Sequence, residues 1–138
     1  MSAPPPGFAP HFRKSPLTDP WEPLWSRRDG AALVLGLEIG ERHCNACGTA
    51  HGGLISALAD NAMGLACALG ADPPHSIVTA HLSIDLVGAA RIGDWIEFHA
   101  APARIGRALA FAGCEVRGAG GLIARASGVF SVAVPPAA

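Results

Sequence analysis

Residues 45–70 read NACGTAHGGLISALADNAMGLACALG, and the fold turns on how this stretch is read. From His51 to Leu69, apolar residues fall at positions 54, 55, 58, 62, 65, 66 and 69, the three-to-four spacing of a helix. Those 19 residues span roughly 28 Å at about 1.5 Å each. Gly70 stops the helix and Pro73-Pro74 forbids its continuation. A surface helix carries charge on its outer face, yet the single charged residue here is Asp60. Such a helix is expected to be buried nearly all round. Its small residues Gly52, Gly53, Ala57 and Gly64 admit close neighbours, so a sheet is expected to wrap it.

The flanking sequence supplies that sheet. Ala32–Ile39 reads as a short strand ended by Gly40, and Glu41–Ala50 as a polar loop. Beyond the prolines the period changes to two. Over Ile77–Val87 the apolar residues at 78, 80, 82, 84 and 86 alternate with Thr79, His81, Ser83 and Asp85. Trp95–Pro102, Ala108–Arg117 and Leu122–Val134 read as further strands. The short connectors Arg104–Arg107 and Gly118–Gly121 suit antiparallel hairpins. The expected fold class is α+β, one long central helix wrapped by an antiparallel sheet of about five to six strands. Residues 1–30 read as a preamble to a body at 31–138, because six of the twelve prolines lie in residues 1–20. Its first dozen residues are expected to be poorly ordered. Trp21, Leu24 and Trp25 are spaced for a short helical turn docked on the body.

The chain has 138 residues, half of them hydrophobic and 15% charged, a balance that excludes a disordered tail or a coiled-coil rod. Ten Lys and Arg against eleven Asp and Glu leave no basic surplus for nucleic acid or an anionic membrane. Asp60 in mid-helix and the weak, alanine-based hydropathy argue against a membrane span. The opening Met-Ser-Ala-Pro-Pro-Pro has no secretory pattern, and Cys44, Cys47, Cys67 and Cys114 fit a reducing compartment, so the expected location is cytoplasmic. So apolar a chain is expected to hide surface by self-association.

Asp60 admits two readings: a carboxylate emerging at a helix edge, or a desolvated catalytic base or nucleophile. The helix start offers unpaired N–H groups and the positive end of the dipole, and glycine at 52 and 53 lets a ligand oxygen approach them. His51 and Asp60 are nine residues apart, half a turn out of phase and roughly 13 Å apart along the axis. If both serve one reacting group, the site spans two copies of the chain. His43-Cys44-x-x-Cys47-x-x-x-His51 crowds four candidate zinc ligands into nine residues, unlike the separated pairs of structural zinc sites, so no metal is expected. No Gly-x-Ser-x-Gly elbow is present, which removes the serine hydrolases.

Asn45-x-x-Gly48-x-x-His51-Gly52-Gly53 followed by Asp60 resembles the hotdog-fold acyl-CoA thioesterases of the phenylacetate-type, PaaI-like group. Thr79 in a strand, Gly93-Asp94 and Gly106-Arg107 extend the resemblance over about residues 20–134. The resemblance implies Asp60 as general base or nucleophile, with the Gly52 N–H holding the thioester oxygen and Gly53 giving it room. It implies His51 and Asn45 as positioning groups, and Thr79 as orienting water or the Asp60 of an adjacent protomer. Arg91, Arg104 and Arg107 would hold CoA, with Gly106 allowing close approach. It further implies a homodimer with a continuous sheet, often doubled to a tetramer, with acyl-CoA as substrate and no cofactor. The chain departs from the family at Leu86-Val87-Gly88-Ala89, where relatives carry Phe-Leu-Arg-Pro or similar, and in placing His81 near Thr79. The competing expectations are a hotdog enoyl-CoA hydratase and a non-catalytic acyl-CoA-binding module.

Overall fold

A computed structural model of the chain describes residues 3–133. Met1, Ser2 and residues 134–138 lie outside the described residues, and with them Val134, the expected end of the last strand. The charge-poor stretch forms α1 (Gly52–Leu69), with His51 as N-cap and Gly70 as C-cap. A Cβ at Gly70 would collide with Ile105, so glycine here both ends the helix and lets the sheet close on it.

Among the described residues, seven strands form one antiparallel sheet: β1 (Ala9–Pro10), β2 (Trp25–Asp29), β3 (Ala32–Glu38), β4 (Ser76–Leu86), β5 (Trp95–Ile105), β6 (Leu109–Gly118) and β7 (Gly121–Ala133). Their order is β1-β2-β3-β5-β6-β7-β4, which leaves β4 at one edge. This is the hotdog arrangement of one long helix against a curled sheet. The sheet face toward α1 is lined by Leu33, Leu35 and Leu37 of β3, Ile96 and Phe98 of β5, and Phe130 of β7, all buried. On β6 the inward residues are Ala110, Ala112, Cys114 and Val116, three of them small, which lets the sheet bend close to the helix. Burial raises the Cys67 thiol and, helped by Glu115, pushes that of Cys114 up to about 12; both act as small core residues.

The preamble departs most from its sequence reading. The helical spacing of Trp21, Leu24 and Trp25 yields only a 3₁₀ turn at Asp19–Trp21, while Trp25 opens β2, which pairs along β3 from Trp25↔Gly36 to Asp29↔Ala32. From Phe8 to His11 the early segment is tied to the sheet. Ala9 and Pro10 pair with Ser26 and Trp25, His11 is buried, and Phe8 meets Trp95 edge-on at 5.3 Å over Gly36. These contacts add two strands to the expected sheet. Proline misled the reading, because an edge strand tolerates it: Pro10 needs no donor on its open side.

Two further corrections concern burial. α1 is covered on one side only, and Gly53, Ala57, Asp60, Asn61, Leu65 and Ala68 are exposed or half-buried along the other. Strand β4 does not alternate strictly. The β4–β7 register shifts between Thr79 and His81, so Ala80 is a bulge, and Ile77 and Thr79 share the helix-facing side with Leu82 and Ile84. Val78, expected inside, is 69% exposed.

Two buried histidines make the fold sensitive to acid. His43 Nδ1 accepts from the Gly40 N–H at 2.8 Å, so Nε2 carries the proton and donates to the Trp21 carbonyl at 2.9 Å. Burial pushes the His43 imidazole below the usual range against that carbonyl's pull, with Arg42 adding to the lowering. Burial likewise lowers His11, opposed by its bond to Asn61. A depressed folded-state histidine contributes stability that is complete above the unfolded value of about 6.5 and is lost as pH falls through the folded value. The midpoint of thermal unfolding should therefore fall as pH drops below about 6.5, with a shallower slope in His43→Gln.

Candidate active site

Asp60 lies on the uncovered face of α1. Its Oδ1 accepts from Thr79 Oγ1 at 2.6 Å within the same chain, and Oδ2 has no partner among the described residues. The Ala80 bulge makes this contact, since unbroken alternation along β4 would point Thr79 to the outer face. Thr79 was expected to orient water or the Asp60 of an adjacent protomer; within one chain it meets its own Asp60. Both residues line a cavity of about 330 Å³ walled by Gly64, Leu65, Ile77 and Phe130. Asn61, His75, Phe12 and Arg13 also border it. The sequence reading missed all four. Phe12 and Arg13 reach the site only because β1 pairs with β2, a non-local contact with no motif. His75 has a buried Nδ1 without a partner.

The start of α1 lies elsewhere. His51 Nδ1 accepts from the Gly53 N–H at 2.8 Å, so the imidazole caps its own helix. A Cβ at Gly53 would stand 2.9 Å from that nitrogen; the room this glycine makes is for the His51 ring. The Gly52 N–H, by contrast, has no acceptor among the described residues. A Cβ at Gly52 would stand 2.8 Å from Leu86 Cδ1, which places the end of β4 beside the helix start. Asn45 folds the preceding loop, its Oδ1 accepting from the N–H groups of Cys47 at 2.9 Å and Thr49 at 3.2 Å. His51 and Gly53 border a second cavity of about 400 Å³ that Asp60 does not reach. Gly52 and Asp60 are eight residues apart on the helix, roughly 12 Å of rise.

The arginines also divide. Arg91 is bridged to Thr49 near the helix start, and its backbone N–H donates to Asp94 Oδ2 at 2.8 Å. Arg104 and Arg107 flank the β5–β6 hairpin at the far end of β5, roughly 30 Å away for a strand of that length. Gly106 is crowded by this chain itself, since a Cβ there would stand 2.8 Å from the Leu109 carbonyl oxygen. Gly88, in the segment where the chain departs from the resembled family's Phe-Leu-Arg-Pro, is pressed against the Leu122 carbonyl, with a Cβ distance of only 2.7 Å. One chain therefore brings Asp60 and Thr79 together, and separately His51, Gly52, Gly53 and Asn45.

The thioesterase superfamily model matches residues 47–124. The chain is 47% identical over 127 residues to the Pseudomonas aeruginosa protein PA0474, provisionally named an esterase, covering 91% of this chain and 95% of that one. Zebra fish thioesterase superfamily member 2 superposes with a TM-score of 0.75 at 26% identity, over 80% of this chain and 81% of that one. A hypothetical thioesterase of Streptococcus pneumoniae, crystallised with coenzyme A, superposes with a TM-score of 0.71 at 22% identity, over 80% and 86%.

The capping bond sets a test of what His51 does for the helix. His51→Ala should lower the unfolding free energy by about 1 kcal/mol in denaturant titrations, and His51→Asn should restore most of it. Equal stability of wild type and His51→Ala would deny the cap.

Proposed function

The chain belongs to the thioesterase superfamily, and from that membership we propose that it hydrolyses acyl-CoA thioesters to the free acid and CoA. The observation that carries this reading is Asp60, the one charge on α1, with one oxygen held by Thr79 and the other without a protein partner among the described residues, beside a cavity lined by apolar and polar groups alike. An oriented carboxylate beside such a cavity suits a general base. Water attacks the thioester carbon as its proton passes to Asp60, and the tetrahedral oxyanion collapses with loss of the CoA sulfur. The unpartnered Gly52 N–H at the positive end of α1 suits the oxyanion. The coenzyme A held by the streptococcal neighbour supports CoA as the carrier.

Because Gly52 and Asp60 are too far apart in one chain, the proposed site lies between two copies. Strand β4 is a sheet edge with Val78 and Leu86 exposed, and the half-exposed face of α1 lies beside it. Antiparallel pairing of β4 with a second β4 about a two-fold near Leu82 and Ser83 sets Thr79 of one copy across from Leu86 of the other. Thr79 marks the Asp60 end of its strand and Leu86 the Gly52 end. The pairing thus juxtaposes base and oxyanion donor. It also turns Arg91 of one copy toward the end of the sheet that carries Arg104 and Arg107 of the other, a suitable grip for the CoA phosphates.

Loss of thioester absorbance should be followed directly, since the four cysteines would confuse thiol reagents. Asp60→Ala should lower turnover by roughly 10²-fold or more. Gly52 is the first helical residue, where proline is tolerated, and His51 already has the extended backbone that precedes proline, φ −65° and ψ 135°. Gly52→Pro removes that N–H and adds a Cβ that meets only the flexible end of Leu86, so it should keep the fold and cost about 10²–10³ in kcat. Gly52→Ala adds a similar Cβ but keeps the donor, so equal losses in the two variants would sink the oxyanion role.

A further inference from the structure

His11 lies far from α1 in sequence and outside the residues that match the superfamily model, yet it is buried against the helix. Its Nδ1 stands 3.0 Å from Ser26 Oγ of β2 and its Nε2 3.1 Å from Asn61 Oδ1. A neutral imidazole carries one N–H. With an amide oxygen at Nε2, the proton sits there, and Nδ1 accepts from the Ser26 hydroxyl. The Asn61 oxygen is thereby taken up, and its NH₂ group has no partner among the described residues. Asn61 borders the same cavity as Asp60. The opposite amide orientation would turn an acceptor oxygen toward the cavity that the Asp60 carboxylate already lines. A donor there offsets the carboxylate, whereas a second acceptor repels it.

We propose that Asn61 is a catalytic residue, donating from Nδ2 to the water that Asp60 deprotonates, and that His11 is the positioning residue that keeps this donor turned to the cavity. The inference rests on the hydrolytic reading above. The attacking water has two lone pairs, of which one forms the new C–O bond and the other accepts from Asn61. Its proton goes to Asp60 Oδ2, because Oδ1 is held by Thr79, and passes on to the sulfur as the C–S bond breaks. A buried bond to Ser26 on β2 and one to Asn61 on α1 make the N-terminal segment a clamp that sets the orientation of one amide.

Two measurements on the full chain decide the matter. Long-range ¹⁵N-edited NMR of the imidazole should show His11 protonated at Nε2 and not at Nδ1 near pH 7.5; the reverse tautomer turns the Asn61 oxygen to the cavity and overturns the proposal. In kinetics, Asn61→Ala should lower kcat roughly tenfold, the loss of one hydrogen bond in the transition state, with KM changed by less than about twofold. His11→Asn keeps only a group that can reach Ser26 and should show a similar loss of kcat. His11→Gln places an N–H near the Nε2 position and should recover most of it. In the Asn61→Ala background His11→Asn should cost nothing more, a coupling that a purely structural role would not produce. Unchanged kcat in Asn61→Ala, or a raised KM alone, refutes the proposal. If the wild type turns over no acyl-CoA, the hydrolytic reading falls and this one with it. Turnover that needs Asp60 but not Asn61 removes this inference alone.

Discussion

An 18-residue helix with one charge has to be covered on every side, and most of this structure follows from how that is done. The chain's own sheet covers one flank, with Phe98, Phe130 and the leucines of β3 facing α1 and small residues on β6 letting the sheet curl. By length and composition α1 could cross a membrane, but half of it is buried in the fold, and its apolar character is that of a core helix. The other flank carries Asp60 and Asn61 among small and apolar residues and borders the open edge strand β4. The surface that lacks a cover and the surface that bears the proposed site are therefore the same. The proposed second copy docked through β4 would resolve both at once.

The helix and the strands that follow it were legible because each obeys one period over its length. The early segment was not, because its contacts are non-local: Pro10 pairs with Trp25, and Phe8 meets Trp95 edge-on. Strand β4 was legible as a strand but misread in its facing, since a one-residue bulge at Ala80 inverts the alternation N-terminal to it. That inversion is what carries Thr79 to Asp60. Sequence alternation alone would have separated the two residues that the structure brings to 2.6 Å.

The candidate residues from the helix start fared unevenly for a physical reason. Gly53 and Gly106 read as clearances for a ligand, yet each is crowded by its own chain, Gly53 by the His51 ring and Gly106 by the Leu109 carbonyl. Asn45 spends its oxygen on loop N–H groups. Glycine and asparagine spaced in a motif do not disclose whether they serve a ligand or a tight turn, since both need the same lack of bulk or the same acceptor. Gly52 differs, with a backbone N–H at the end of α1 that has no acceptor among the described residues. Asn61 was passed over because it adjoins a more conspicuous neighbour, and only its contact with the buried His11 distinguishes it from an ordinary helix-surface amide.

The central claim is that each site draws Asp60 from one copy and the Gly52 N–H from another. Subunit complementation tests it most directly, by mixing Asp60→Ala and Gly52→Pro chains through co-expression or refolding and measuring acyl-CoA hydrolysis. Random pairing makes half the dimers mixed, and each mixed dimer has one intact site, so about a quarter of wild-type activity should return. A mixture no more active than its separate components would place both groups in one chain and contradict the account.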